Sequence, residues 1–187
     1  MSDMQPLADA EWPESIADMR AGFAGRLNVY RVMAHQPDLL RAWGPLRQHV
    51  VLGGTLAETE KEIVILRTGY HWGSAYERAH HVVRGRLAGL SDARIARTGM
   101  APQDWGSADA ATDEDDDLLL MRATDAMLQD GRLPEAERAA LATAGYGDAA
   151  LLDIIATIGL YSTLALIVNS FATPIDPDVV AAGGLQL

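Results

Sequence analysis

The general acid–base candidates of this 187-residue chain are five histidines, His35, His49, His71, His80 and His81, with the carboxylates near them. Only the stretch from Glu62 to Arg86 gathers several such groups. At helical spacing Ser74, Glu77, His81 and Arg84 fall at i, i+3, i+7 and i+10 and share one stripe. Tyr76, Ala79, His80, Val83 and Leu87 form the adjacent, more apolar stripe, which makes His80 a packed histidine with one hydrogen bond. A preceding helix puts Glu62, Ile65, Leu66 and Gly69 on one face. If the two helices fold back at Gly73-Ser74, Glu62 and His81 stand within about 5 Å of the same height, at 1.5 Å per residue. A carboxylate touching an imidazole orients the ring and raises its proton affinity, giving an acid or base poised near neutrality. The expected catalytic residues are therefore His81, Glu62 and Glu77. Ser74, Tyr76, Trp72 and His49 are the substrate-binding candidates around them. Spacing alone also fits an ordinary exposed Glu77/His81 pair, worth about 0.3 kcal/mol.

The elements that must position these groups read as helices throughout. Ala, Leu, Arg and Glu dominate the periodic stretches, and no Asn-Gly or Asp-Gly hairpin signal occurs. Residues 1–24 form an arm with a short helix from Glu14. Leu27–Met33 is a short helix ended by Gln36-Pro37, with His35 as a C-terminal cation. A helix from Asp38 runs to about Val51 and stops at Gly53-Gly54. Thr55 and Glu58 have capping-box spacing for the helix that reaches His71 or Trp72. Ser74 caps the next helix, which ends near Gly89, and Ser91 caps a short one. Residues 99–111 make a loop. Thr112 precedes the carboxylates Asp113–Asp117, which suit a helix N-terminus. A helix from Pro134 and a long one from Asp148 to about Ala172 complete an all-α single domain, with the core at about 26–175 and a tail at 176–187.

Composition bounds the function. With 15 basic and 26 acidic side chains the formal charge is −11, which argues against nucleic acid and anionic membrane surfaces. An apolar fraction of 49% and a mean hydropathy of +0.00 fit a folded globule. The chain has no cysteine, which removes disulfides, thiolate nucleophiles and sulfur-ligated metals. Met1-Ser2-Asp3-Met4-Gln5-Pro6 has neither a basic nor an apolar leader region, so the expected compartment is the cytoplasm. The stretch 154–175 carries no formal charge, but Gly159, Asn169 and Pro174 interrupt it. It is expected to be a buried core helix, or one shared across a subunit interface, and not a membrane span.

Three segments carry a family likeness: Glu62-Ile-Val-Ile-Leu-Arg67; Gly73-Ser-Ala-Tyr76-Glu77-Arg-Ala-His80-His81; and Ala88-Gly89-Leu90-Ser91-Asp92 with Ile95-Ala96. Together they resemble the carboxymuconolactone decarboxylase family of the alkylhydroperoxidase-D-like superfamily. Trp43-Gly-Pro45 and Gly159-Leu-Tyr161 through Asn169 extend the likeness over most of residues 38–175. The resemblance implies a multi-helix bundle with a central helical hairpin, assembled as a homo-oligomer, a trimer or hexamer. The superfamily's peroxidase branch carries Cys-x-x-Cys-x-x-x-His after a glutamate. Here Ser74 and Glu77 stand at the two sulfur positions, while Glu62 and His81 keep the glutamate and histidine. A dithiol cycle needs an attacking and a resolving thiol, so this chain is not a cysteine-dependent peroxidase. The implied activity is a cofactor-free acid–base lyase or decarboxylase acting on a small carboxylated or lactone compound from aromatic catabolism. An anionic substrate there needs an offsetting arginine: Arg67, Arg78 or Arg84, or one from a neighbouring subunit. Two alternatives stand beside it. One is a metal-assisted hydrolase or lyase using His81, Glu77 and His49, and the other is a non-catalytic oligomeric binding protein.

Overall fold

The computed structural model describes residues 4–105 and 113–186. Among them lie ten α-helices and no strand, so the all-α reading holds. They are α1 (Ala17–Arg20), α2 (Asn28–Met33), α3 (Pro37–Arg47), α4 (Glu58–His71), α5 (Ala75–Ala88), α6 (Asp92–Arg97), α7 (Asp113–Asp130), α8 (Glu135–Thr143), α9 (Asp148–Ser170) and α10 (Pro177–Ala181). A wide π-type turn, Gln48–Leu52, follows α3 and takes up the end of the helix expected to reach Val51. Thr112, the loop beyond Trp105 and the side chains of Asp113, Glu114 and Asp115 lie outside the described residues.

Helix α4 is central. Every residue from Lys61 to Gly69 is buried, and α5, α7 and α9 pack around it. On one side Ile63, Val64 and Leu66 join Val82, Leu120, Met121 and Ile158 in a core cluster. On the other, Ile65 meets Tyr30, Trp43, Leu160 and Leu164 in a second cluster, which also takes in Trp12 and Ile16 of the N-terminal arm. Truncating a fully buried leucine such as Leu66 costs about 2–5 kcal/mol, transfer and cavity together. Arg67 fastens α4 to α7 through two bonds of 2.7 and 2.6 Å to the Asp125 carboxylate. It donates further to the Thr98 and Met100 carbonyls.

The α4–α5 hairpin forms as the sequence indicates. Gly73 turns the chain at φ +58°, a conformation that excludes most side chains. The Ser74 hydroxyl then accepts the Glu77 N–H at 3.3 Å as N-cap of α5. At the crossing, a Cβ on Gly69 would sit 3.5 Å from Cβ of Glu77, so the lack of a side chain lets the helices approach closely. The cap of α4 differs from the expectation. Its N-cap is Ala57, whose N–H is accepted by Glu60 at 2.7 Å. Thr55 instead donates its N–H and hydroxyl to Asp153 at 2.7 and 2.8 Å, because that carboxylate on α9 competes for it.

Helix α9 is long and apolar enough to cross a membrane. Here one face supplies Ile154, Ile158, Tyr161, Leu164 and Val168 to the core, while Leu152, Ile155 and Leu166 remain exposed.

Candidate active site

The hairpin brings the three expected catalytic side chains together. Glu62 comes from α4, and Glu77, His81 and Arg84 come from successive turns of α5. Nδ1 of His81 lies 2.6 Å from Oε2 of Glu62, its N–H donating to the carboxylate. That bond leaves Nε2 with the lone pair. Nε2 faces Oε2 of Glu77 at 3.7 Å, too far for a hydrogen bond but across a gap a small shift closes. All three are buried, with 3% of His81, 3% of Glu77 and 5% of Glu62 exposed. The ring of Tyr161 meets the His81 imidazole edge-on at 4.8 Å.

The charge states follow from burial. It pushes the Glu77 carboxyl up to about 8; Glu62 adds to this and Arg84 opposes it. Its Oε1 is buried with no hydrogen-bond partner among the described residues. Burial likewise pushes the His81 imidazole below its ordinary value, with Glu62 pulling the other way. At neutral pH the site therefore holds a protonated carboxylic acid beside a neutral imidazole with a fixed tautomer. The clash expected between an anionic substrate and Glu77 is thereby removed.

Two hollows meet at this cluster. A cavity of about 290 Å³ is lined by Glu62, Lys61, Ile65, Arg84, Leu87 and Tyr161, among others. A recess of about 20 Å³, roughly room for one water, is lined by Tyr30, Glu77, His81, Arg84 and Tyr161 among others. Arg84 and Tyr161 border both. Of the three arginines considered for a substrate anion, Arg67 is consumed by Asp125, and Arg78 lines a different hollow. Arg84 makes no hydrogen bond or ion pair among the described residues and lines both hollows.

The substrate-binding candidates fare differently. Ser74 is fully buried as the α5 cap. Trp72 donates its indole N–H to Ser162 at 2.9 Å. Neither borders these hollows. Tyr76 borders the recess, but its hydroxyl donates to Asp176 at 2.5 Å. His49, half exposed, pairs with Asp153 at 2.7 Å away from the site, so it does not join His81 and Glu77 as a metal-ligand set. No three His, Asp or Glu side chains are arranged around a common metal position among the described residues. Sequence reasoning missed Lys61, which reaches the Val51 and Gly53 carbonyls and Glu58 along the cavity wall, because a lysine on a helix normally reads as solvated. It also missed Asp176, whose link to α5 is too long-range to be read from spacing.

Residues 37–113 match the model of the carboxymuconolactone decarboxylase family. No curated protein is significantly similar in sequence. Among solved structures, an uncharacterized peroxidase-related protein with an alkylhydroperoxidase AhpD core, from Ralstonia eutropha JMP134, superposes with a TM-score of 0.74 at 18% identity over 94% of each chain. A peroxidase-related protein from Silicibacter sp. TM1040 gives 0.73 at 15% identity, over 94% of this chain and 93% of the other. The debrominase Bmp8, in a cysteine-to-alanine variant bound to 2,3,4-tribromopyrrole, gives 0.72 at 16% identity, over 96% and 94%. At such identities the superpositions speak for the fold. The match to the carboxymuconolactone decarboxylase family covers residues 37–113, and the chain as a whole has an AhpD-like all-α fold.

Proposed function

We propose that this chain is a cysteine-independent acid–base enzyme of the lyase type that decarboxylates or isomerises a small carboxylated or lactone compound of aromatic catabolism. The observation that supports this reading is the completed His81–Glu62 bond set 3.7 Å from a protonated, unpartnered Glu77. In a decarboxylation the C–C bond to the carboxylate breaks and CO2 leaves. The electron pair passes into the conjugated carbonyl as an enolate. Glu77 delivers its proton to the carbanionic carbon, and His81, recharged from solvent, returns a proton to Glu77 while Glu62 holds the ring. Arg84, free and bordering both hollows, faces the charge that develops on the enolate oxygen. The same groups serve a carbon-to-carbon proton shift. The exposed stripe Leu152, Ile155 and Leu166 on α9 suits burial between copies of the chain, in keeping with a cytoplasmic homo-oligomer.

The reading is tested with a set of small conjugated carboxylated lactones in D2O, following CO2 release and deuterium at the carbon that loses the carboxylate. Wild type is expected to convert at least one of them with one deuteron incorporated. Rates across the set that are no higher than those of Glu77→Gln overturn it.

A further inference from the structure

On the other side of α5 lies a second hollow, of about 390 Å³, that shares no lining residue with the cavity beside Glu62. Its wall includes Tyr70, Gly73, Ala75, Arg78, Val82 and Leu185. Arg78 is the unusual member. Arg31, Arg41, Arg67, Arg86 and Arg138 each pair with a carboxylate at 2.6–2.7 Å. Arg78 makes no hydrogen bond or ion pair with any described residue, and its Nη1 is buried without a partner. Its nearest electrostatic company is the Tyr70 ring, 5.7 Å away, and the like charge of Arg67. Arg78 is half-buried, and the part of its guanidinium withdrawn from water has no counter-charge, a cost that an anion brought to it offsets. The hollow supports an anion in a second way. Gly73 and Ala75 open α5, a helix of 14 residues. Its first-turn N–H groups have no intrahelical acceptor, and the Ser74 hydroxyl takes only that of Glu77. Val82, Ala79 and Leu185 make the remaining wall apolar, and Leu185 and Tyr70 are exposed at the rim, so the hollow is reachable from solvent.

We propose that this hollow binds a small organic oxyanion, its acidic group on Arg78 and the N-terminus of α5 and its apolar body against Val82 and Leu185. The volume and mixed wall are those of a small-molecule site. The site is independent of the Glu62–Glu77–His81 chemistry.

Amide NMR of the full chain, titrated with sodium benzoate and separately with inorganic phosphate at constant ionic strength, tests this. Benzoate is expected to move the Gly73, Ala75, Gly184 and Leu185 resonances saturably. Arg78→Met, which keeps side-chain volume, is expected to weaken binding at least about tenfold, and Arg78→Lys less. Arg84→Met is expected to leave these shifts in place, which separates the site from the catalytic cavity. The spectrum itself reports whether each variant folds. Tighter binding of benzoate than phosphate supports the organic ligand. Phosphate binding as tight as benzoate, no saturable shift, or equal affinity in Arg78→Met overturns the proposal.

Discussion

Two histidines adjacent in the chain, His80 and His81, sit buried on one helix, each bonded to a carboxylate, yet they are engaged differently. Both ring nitrogens of His80 face acceptors: Nδ1 the Tyr76 carbonyl at 2.8 Å and Nε2 the Asp176 carboxylate at 2.9 Å. Asp176 also accepts the Tyr76 hydroxyl and the Asn28 N–H, so the cluster clasps the C-terminal tail and the start of α2 onto α5. The His81 cluster is built from the same residue types but stops short of completion. One ring nitrogen is spoken for, and the other faces an acid with no partner of its own. Residue type and burial do not separate the fully bonded histidine from the one proposed to react; the unmade bond does.

The sharpest way to break this contrast is to remove each ring. With a converting substrate in hand, His81→Ala is expected to lower turnover about a thousandfold, within the range of lost general acid–base catalysis, and to leave the fold intact. Should turnover survive within about tenfold, the contrast is wrong. Glu77→Gln is expected to cost about a hundredfold, because the amide keeps the shape and cannot give the proton. Wild-type activity should decline as pH rises through about 8, where Glu77 loses its proton. For the carbon-to-carbon shift, in which neutral His81 takes up a proton, it should decline again in acid below the ordinary histidine value as His81 becomes charged. Glu77→Gln carries a stability signature as well. At or below the ordinary glutamate value of 4.5 folded and unfolded chains both hold the proton, whereas between there and about 8 only the folded chain does. Wild-type stability therefore falls across that window with rising pH. The variant is expected to gain in melting temperature over wild type as pH rises, levelling off above about 8. A constant difference between pH 5 and 9 would show that Glu77 is ionised throughout.

The clasp should respond in the other currency. Asp176→Asn is expected to cost roughly 2–3 kcal/mol, under the about 3–5 of a fully buried broken pair because the amide retains some hydrogen bonds. That is a fall of roughly 5–10 °C in Tm for a chain of this length, with kcat nearly unchanged. Burial pushes the Asp176 carboxyl up, but bonds from His80 and Tyr76 outweigh it and hold it below the ordinary value. Its stabilising contribution is thus present above the ordinary aspartate range and lost as pH falls through the depressed value. Thermal melts from pH 6 down to pH 3 should show wild type losing its advantage over Asp176→Asn.

These two clusters also mark what a sequence can and cannot reveal. The hairpin was legible because its signals are local: a Gly-Ser break, a serine cap and a 3.6-residue period on either side of it. Those signals were enough to bring Glu62 to His81 by height alone. The protonated state of Glu77 was not legible, since it depends on how completely neighbouring helices exclude water. His80 was expected to make one hydrogen bond and makes two, the second to a residue 96 positions away. The Thr55 cap was misplaced for the same reason, through a carboxylate 98 positions distant. Local grammar predicts helices and their caps, but a partner arriving from the far end of the chain overrides it.

The smallest effect is the most discriminating, because it concerns the residue that ties the reactive cluster to its cavity. Arg84 draws the Glu77 carboxyl down and, as a like charge, lowers the His81 imidazole as well. Removing its charge in Arg84→Met releases both groups upward, so the acid and alkaline limbs of the pH–rate profile should move to higher pH together. Loss of a substrate contact alone would raise KM, by about tenfold for one charge-assisted interaction, with the limbs unmoved. Arg84→Lys keeps the charge, so it should hold both limbs near their wild-type positions while losing part of the planar, two-pronged contact. A displaced profile in the methionine variant, restored in the lysine variant, would place Arg84 in the electrostatics of the proton-transfer pair. A profile that stays fixed in both would leave Arg84 a binding residue only, with Glu77 and His81 set by burial and Glu62 alone.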